Sequence, residues 1–418
     1  MKIIGKLLFI SIVFLILSTP VSGAFQRIDP AADLQYLGAF RMPSDLGYDA
    51  RGLGLTFYPN GNGGAGSLYI TQGHVNASAG NGTAEISVPA PVNSKNAASL
   101  NRAVLLQPQR DITLIASNDA DQFGDVCYMA KQGSQTSDKL YWSGYMYYMG
   151  SCASIGWAEL SLASPNTKGT WWVGNDLGMT VGKYLFEADH TWADTYASGR
   201  YLIAGRHREA GGQGGSQGPT LYAIAPWVNG NPPANNAVIS YTRLLEYPSG
   251  ASGLPTNFPN YAPVDGWKDA VWVKSGDKHA VLIVGMKGTG SCYGEGSACG
   301  DPCQSSKGYH SYPYSPKFIW YDVNELAQVA QGQRAADSVI PYSTWTPTSN
   351  TWNTDSCASG YGGVAYDSAN QKLYVVELYA DQVSEYDSAP IIHVFKVNTG
   401  SSNDYTAPAS PMGLRITH

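Results

Sequence analysis

Gly363-Val-Ala-Tyr-Asp367, Lys372-Leu-Tyr-Val-Val376 and Ile391-Ile-His-Val-Phe395 follow one another near the end of the chain. Each run is short, apolar, and rich in β-branched and aromatic residues. Turn-forming residues separate them, so they read as three strands. The same unit occurs four more times upstream. The first copy is 53–58, 67–70 and 84–88; the second is 126–130, 139–142 and 156–160. The third is 190–193, 200–204 and 220–224; the fourth is 270–273, 279–284 and 317–321. A fourth strand can follow four of the copies, at 103–107, 170–173, 238–245 and 338–344. The early run Leu37 to Arg41 can complete the last copy and close a ring. Four-stranded units repeated around an axis make a propeller. The expectation is an all-β, five-bladed β-propeller with long loops, favoured over a pair of β-sandwiches. One helix is expected over Asn324 to Gln333.

The N-terminus reads as an export signal. A basic start through Lys6 precedes an apolar run, Leu7 to Leu17, and small residues from Ser18 to Ala24. The run is short for a membrane anchor, and a cleavage site follows it. This divides the chain into a signal peptide at 1–24, a propeller at 25–400 and a tail at 401–418. The expected location is secreted, either extracellular or periplasmic. No other segment is apolar enough to span a membrane. Charged residues make up only 14% of the chain, the formal net charge is -6, and there is no basic run. That excludes the usual electrostatic footprint of a nucleic-acid binder.

Six cysteines in an exported chain favour disulfides. Cys127 and Cys152 are expected to pair. Cys292, Cys299, Cys303 and Cys357 supply two further bridges, with Cys357 tying the fifth unit to the Cys292–Cys303 loop. The alternative is a metal site from Cys292, Cys299, Cys303 and His310, at a spacing that matches no zinc finger or ribbon. No cofactor is expected. Asp119, Asp121 and Asp125 can take a structural Ca²⁺, but solvated turn acids are the plainer reading.

Titratable groups recur just after the second strand of each copy: His74, Tyr145, Arg206 with His207, Lys287, and Glu377 with Tyr379. In a propeller these steps share one face. The loops before the first strands open on the same face and bring Asp49, Asp125, Glu187 and His190. Such groups are costly to bury singly, and gathered in a cleft they can do acid–base work. Tyrosines including Tyr312 and Tyr379 rim the site, and aromatic rings beside charges suit sugars. The expected partner is a polysaccharide or other glycan. The leading chemistry is β-elimination on a uronate-containing polysaccharide. Arg206 would neutralise the carboxylate, and His74, Tyr145, His190 and His207 would serve as acid and base. Lys287, Glu187, Tyr312 and Tyr379 would bind substrate. A non-catalytic glycan- or protein-binding surface protein draws on the same residues.

Three resemblances bear on this. Propeller polysaccharide lyases use residues of these types, a resemblance of kind. Five-bladed glycosidases place an Asp, an Asp and a Glu on the inner strands of the first three blades, near where Asp49, Asp125 and Glu187 fall. That likeness implies hydrolysis by two carboxylates. Finally, Leu37-Gly-Ala-Phe-Arg-Met-Pro43, Gly308-Tyr-His-Ser-Tyr-Pro-Tyr314 and Gly362-Gly-Val-Ala-Tyr-Asp367 resemble a family of secreted bacterial β-propeller proteins. This implies the fold and export but no activity. The tail segment Ala407 to Arg415 resembles the opening of a fibronectin type III domain.

Overall fold

The structure is a computed structural model. It describes residues 24–46, 54–71, 82–115, 120, 122–146, 150–207, 215–250, 256–353, 357, 360–382 and 388–398. The expected signal peptide and C-terminal tail fall almost wholly outside the described residues. Among those described, no helix is long and apolar enough to cross a membrane.

The chain forms a five-bladed β-propeller, five antiparallel sheets arranged in a ring. Strand β1 is Leu34–Arg41. Blade one contains β2 (Leu55–Tyr58), β3 (Ser67–Thr71), β4 (Gly82–Ser87) and β5 (Leu105–Asp111). Blade two contains β6 (Gln122–Met129), β7 (Lys139–Tyr145), β8 (Ile155–Ala158) and β9 (Lys168–Val173). Blade three contains β10 (Tyr184–Glu187), β11 (Leu202–Gly205) and β12 (Leu221–Ile224). Next come β13 (Val238–Ile239), which adds to β9 of blade two, and β14 (Tyr241–Leu245), which completes blade three. Blade four contains β15 (Gly266–Ser275) and β16 (Lys278–Gly288). An excursion follows, built on the hairpin β17 (Cys292–Gly294) and β18 (Gly308–His310). The blade then resumes with β19 (Tyr314–Tyr321) and β20 (Ser343–Trp345). Blade five contains β21 (Tyr361–Asp367), β22 (Lys372–Gln382) and β23 (Ser388–Val397), and β1 is its outer strand.

The ring closes as the sequence predicts. β1 pairs antiparallel with β23, from Leu34 opposite Val397 to Arg41 opposite Ile391. The expected helix is present at Val323–Ala330. Blades pack face to face, so their strands bury both faces and read as unbroken apolar runs. In β16, Val281 and Ile283 join a core shared with blade three, while Leu282 and Val284 join one shared with blade five. Similar cores lie between blades two and three, five and one, and one and two.

Two expectations are corrected. Residues 190–193 are not the first strand of copy three. They open a helix, His190–Tyr196, capped by Asp189, whose Oδ1 accepts from Trp192 N at 3.0 Å. The true inner strand is β10, just upstream. Trp192 anchors the helix: its ring lies 5.0 Å from that of Trp272, and its Nε1 donates to Val323 O. Cys127 and Cys152 do not bridge. Cys127 is on the inner strand β6 in the wall of the axial cavity, whereas the Cys152 thiol lies against the Gly144 carbonyl of β7. The bridges are Cys292–Cys299 and Cys303–Cys357, the second tying the excursion to blade five. His310 is held by Asp301, Gly294 O and Ser306 O, and the four neighbouring cysteines are oxidised, which ends the metal reading.

Candidate functional site

The five inner strands β2, β6, β10, β15 and β21 surround the axis. Two carboxyl groups fill its middle. Asp125 on β6 accepts from Val126 N at 2.7 Å and reaches the next blade to accept from Leu185 N at 2.9 Å. Asp269 on β15 accepts from Ala270 N at 2.7 Å and from Val364 N of blade five at 2.8 Å. Leu55 N–H of blade one also donates to Asp269, and the two carboxyl groups hydrogen-bond to each other. One carboxyl pair therefore touches all five inner strands. Gly54 makes room for it, because a Cβ there would stand 2.3 Å from Asp125 Oδ1. Both groups are fully buried. Burial, with Asp269 beside it, pushes Asp125 well above the ordinary carboxylate range. Burial raises Asp269 to about 7. Two adjacent buried carboxylates cannot both ionise, so the pair keeps a proton.

Beyond this pair, towards the C-terminal ends of the inner strands, the axis widens into a cavity of about 760 Å³. Phe57, Tyr128, Trp272 and Tyr366 contribute aromatic wall. The charged lining is Glu187, Asp189, His190, Lys274 and Asp367. His190 Nε2 lies 2.8 Å from Glu187 Oε1, and its ring stacks on Tyr201 with centroids 3.9 Å apart. The hydrogen bond to Glu187 raises the His190 pKa above the ordinary imidazole value, against some desolvation. Lys274 Nζ is 2.5 Å from Asp189 Oδ2. Desolvation opposes ionisation of Asp189, but bonds to Lys274 and Trp192 N outweigh it and lower its pKa.

The sequence-derived site is divided between the two mouths of the channel. Tyr184 of β10 pairs with Gly205 and Glu187 pairs with Leu202. Arg206 and His207 therefore lie beside the start of β10, while Glu187 and His190 lie at or beyond its end. At the first mouth several expected neighbours do meet. The Arg206 guanidinium lies 4.2 Å from the centroid of the Tyr145 ring. His207 Nε2 contacts Asp265 O at 2.7 Å, and Lys287 Nζ reaches both Asp265 carboxylate oxygens, at 2.8 and 3.0 Å. Burial raises Asp265 to about 6 despite Lys287. Arg206 and His207 are themselves buried. Tyr312 packs against Tyr314 on the blade-four excursion. Tyr379 lies in blade five, its carbonyl accepting from Asn353. His74, Asp49, Asp119 and Asp121 lie outside the described residues. Asp125 is committed to the axis, which removes it from the Ca²⁺ reading.

Residues 190–193 have strand-like composition but open a helix, which places His190 and Glu187 at the axial cavity rather than at the opposite mouth. The usable signal was Asp189 ahead of His-Thr-Trp-Ala, an N-cap pattern. Tyr184-Leu-Phe-Glu187 just upstream is the short aromatic strand.

No protein-family description matches this chain, and no curated protein matches it. Among solved structures, it is similar to a chain of a humanized mutant of the Chaetomium thermophilum Polycomb Repressive Complex 2. The identity is 10%, over 87% of this chain and 97% of that one, with a TM-score of 0.34.

Proposed function

We propose that this protein is an exported glycan-binding propeller whose ligand enters the axial cavity. The observation that carries the reading is the cavity itself: about 760 Å³, aromatic in its walls and charged at its mouth. That size and lining suit a small polar ligand held by ring faces and a few oriented polar groups. Export is supported by the N-terminal signal pattern and the two disulfides. The test is calorimetry against a panel of neutral, acidic and amino oligosaccharides, with Trp272→Ala as the cavity variant. Binding that the variant weakens supports the proposal. Binding that it leaves unchanged moves the site elsewhere, and no binding by any member rejects it.

A second reading keeps β-elimination at the opposite mouth, favoured by Arg206 lying on Tyr145. There Arg206 would neutralise a uronate carboxylate and Tyr145 would move a proton. Ultraviolet absorbance of an unsaturated uronate product tests it. Arg206→Ala should abolish the signal, and Tyr145→Phe should reduce it while keeping the ring. Hydrolysis by Asp49, Asp125 and Glu187 is less well supported, since the Asp125 oxygens are taken up by backbone N–H groups.

A further inference from the structure

The charges of the axial cavity go further than a generic glycan. Among the described residues its lining holds three carboxylates, Glu187, Asp189 and Asp367, and two cations, Lys274 and His190. Each cation already has a carboxylate: Lys274 holds Asp189, and His190 holds Glu187. Asp367 caps its own turn, accepting from the backbone N and side-chain Nδ2 of Asn370. An entering uronate would have to break an ion pair and would face the remaining carboxylates. An entering ammonium meets the reverse situation. The Glu187 side chain is 36% exposed, and its partner is the one lining cation that can shed its charge near neutral pH. The imidazole has a second support in the Tyr201 ring, so it can leave Glu187 and stay packed. Aromatic wall also favours a cation over an anion.

We infer that the axial cavity takes a carbohydrate bearing a free amine, whose ammonium replaces the His190 proton on Glu187. The inference rests on the glycan-binding reading. The exchange balances in charge: the ligand ammonium brings one positive charge to Glu187, and the imidazolium releases its proton to solvent. The groups facing His190 are Glu187 on β10, Asp189 and Asp194 on the helix, and Tyr201. Lys274 on β15, Asp367 on β21 and Tyr128 on β6 complete the mouth. The bond to Glu187 keeps the imidazole protonated to a higher pH than usual, so proton release is expected at a pH above the ordinary imidazole value of 6.5.

The test is calorimetry at that pH with three length-matched probes: glucosamine, N-acetylglucosamine and galacturonate oligomers. The amine oligomer should bind about two- to five-fold tighter than its acetylated counterpart. Its apparent enthalpy should vary with the ionisation enthalpy of the buffer. Glu187→Gln should erase the preference for the amine over the acetylated oligomer. His190→Gln should keep the preference and abolish the proton release. If the acetylated or galacturonate oligomers bind as well as the amine, or Glu187→Gln leaves the preference intact, the inference is wrong and glycan binding stands. If no oligomer binds, the glycan reading falls with it.

Discussion

The carboxyl pair on the axis ties the stability of the propeller to pH. Asp269 is raised from the ordinary 3.8 to about 7, and Asp125 is raised well above the ordinary carboxylate range by burial and by its neighbour. A folded-state pKa above the unfolded value stabilises fully at low pH. That contribution is lost as pH rises through the folded value. Between pH 5 and 7 the unfolded chain has released these protons while the folded chain still holds at least one. Each proton so retained is worth about 1.4 kcal/mol per pH unit, so the window removes about 3 kcal/mol. For a propeller of this size, unfolding entropy of about 2.1 cal/mol/K per residue turns that into a melting shift of roughly 4 °C.

Asp125→Asn isolates the effect. The amide still donates towards Asp269 but cannot titrate, and its nitrogen cannot accept one of the two backbone N–H bonds that Asp125 now receives. The variant should be less stable than wild type by about 1–3 kcal/mol at pH 5. The gap should narrow as pH rises to 8, because the wild-type pair has one more raised carboxyl to ionise than the variant, whose Asp269 stays raised by its own burial. Asp265, raised to about 6, adds a loss of the same sign that both proteins share. The assay is denaturant unfolding followed by tryptophan fluorescence, in steps from pH 4.5 to 8 with disulfides intact. Parallel wild-type and variant curves across that range would refute the shared proton. A gap that widens with pH would refute the sign.

Other expectations can be checked on the same protein. Gly54→Ala puts a methyl group 2.3 Å from Asp125 Oδ1; thermal melting should show a loss of about 1–3 kcal/mol from overpacking. Breaking Cys303–Cys357, which closes a separation of 54 residues, should cost about 4 kcal/mol on chain-entropy grounds. Breaking Cys292–Cys299, which closes 7, should cost about 2 kcal/mol. Serine variants of each bridge, compared by denaturant midpoint, give the order. Non-reducing peptide mapping should find no Cys127–Cys152 peptide.

The fold was legible because each blade buries both faces of its strands. Val281 to Val284 and Leu373 to Val376 carry no polar break, so copies four and five stand out by composition alone. Copy three is hard to place from sequence because β10 is only four residues long and Thr-Trp-Ala in the following helix has strand-like composition. The short strand puts Glu187 at its end and His190 beyond it, at the mouth opposite Arg206. Proximity in sequence put Cys127 and Cys152 together, but one lies on an inner strand and the other beside the next strand out. Nothing local marks Asp125 and Asp269 as partners. Each precedes an apolar run and looks like a turn acid, and only the closed ring brings their two strands to the axis.

The same pair bears on how a ligand can be held. Its bonds run from blade two to blade three, from blade four to blades one and five, and across the axis between the two carboxyls. The middle of the channel is thus occupied by protein, and the cavity at the Glu187 mouth is closed at its inner end. On the proposed glycan reading, a polymer would not thread this channel but would present a terminus or a short branch. The same reading favours recognition of an end group whose ammonium meets Glu187. It also separates the two mouths chemically. Arg206, His207 and Lys287 stand on one side of the carboxyl pair, and the Glu187–His190 couple on the other, so neither set can act on a ligand held by the other.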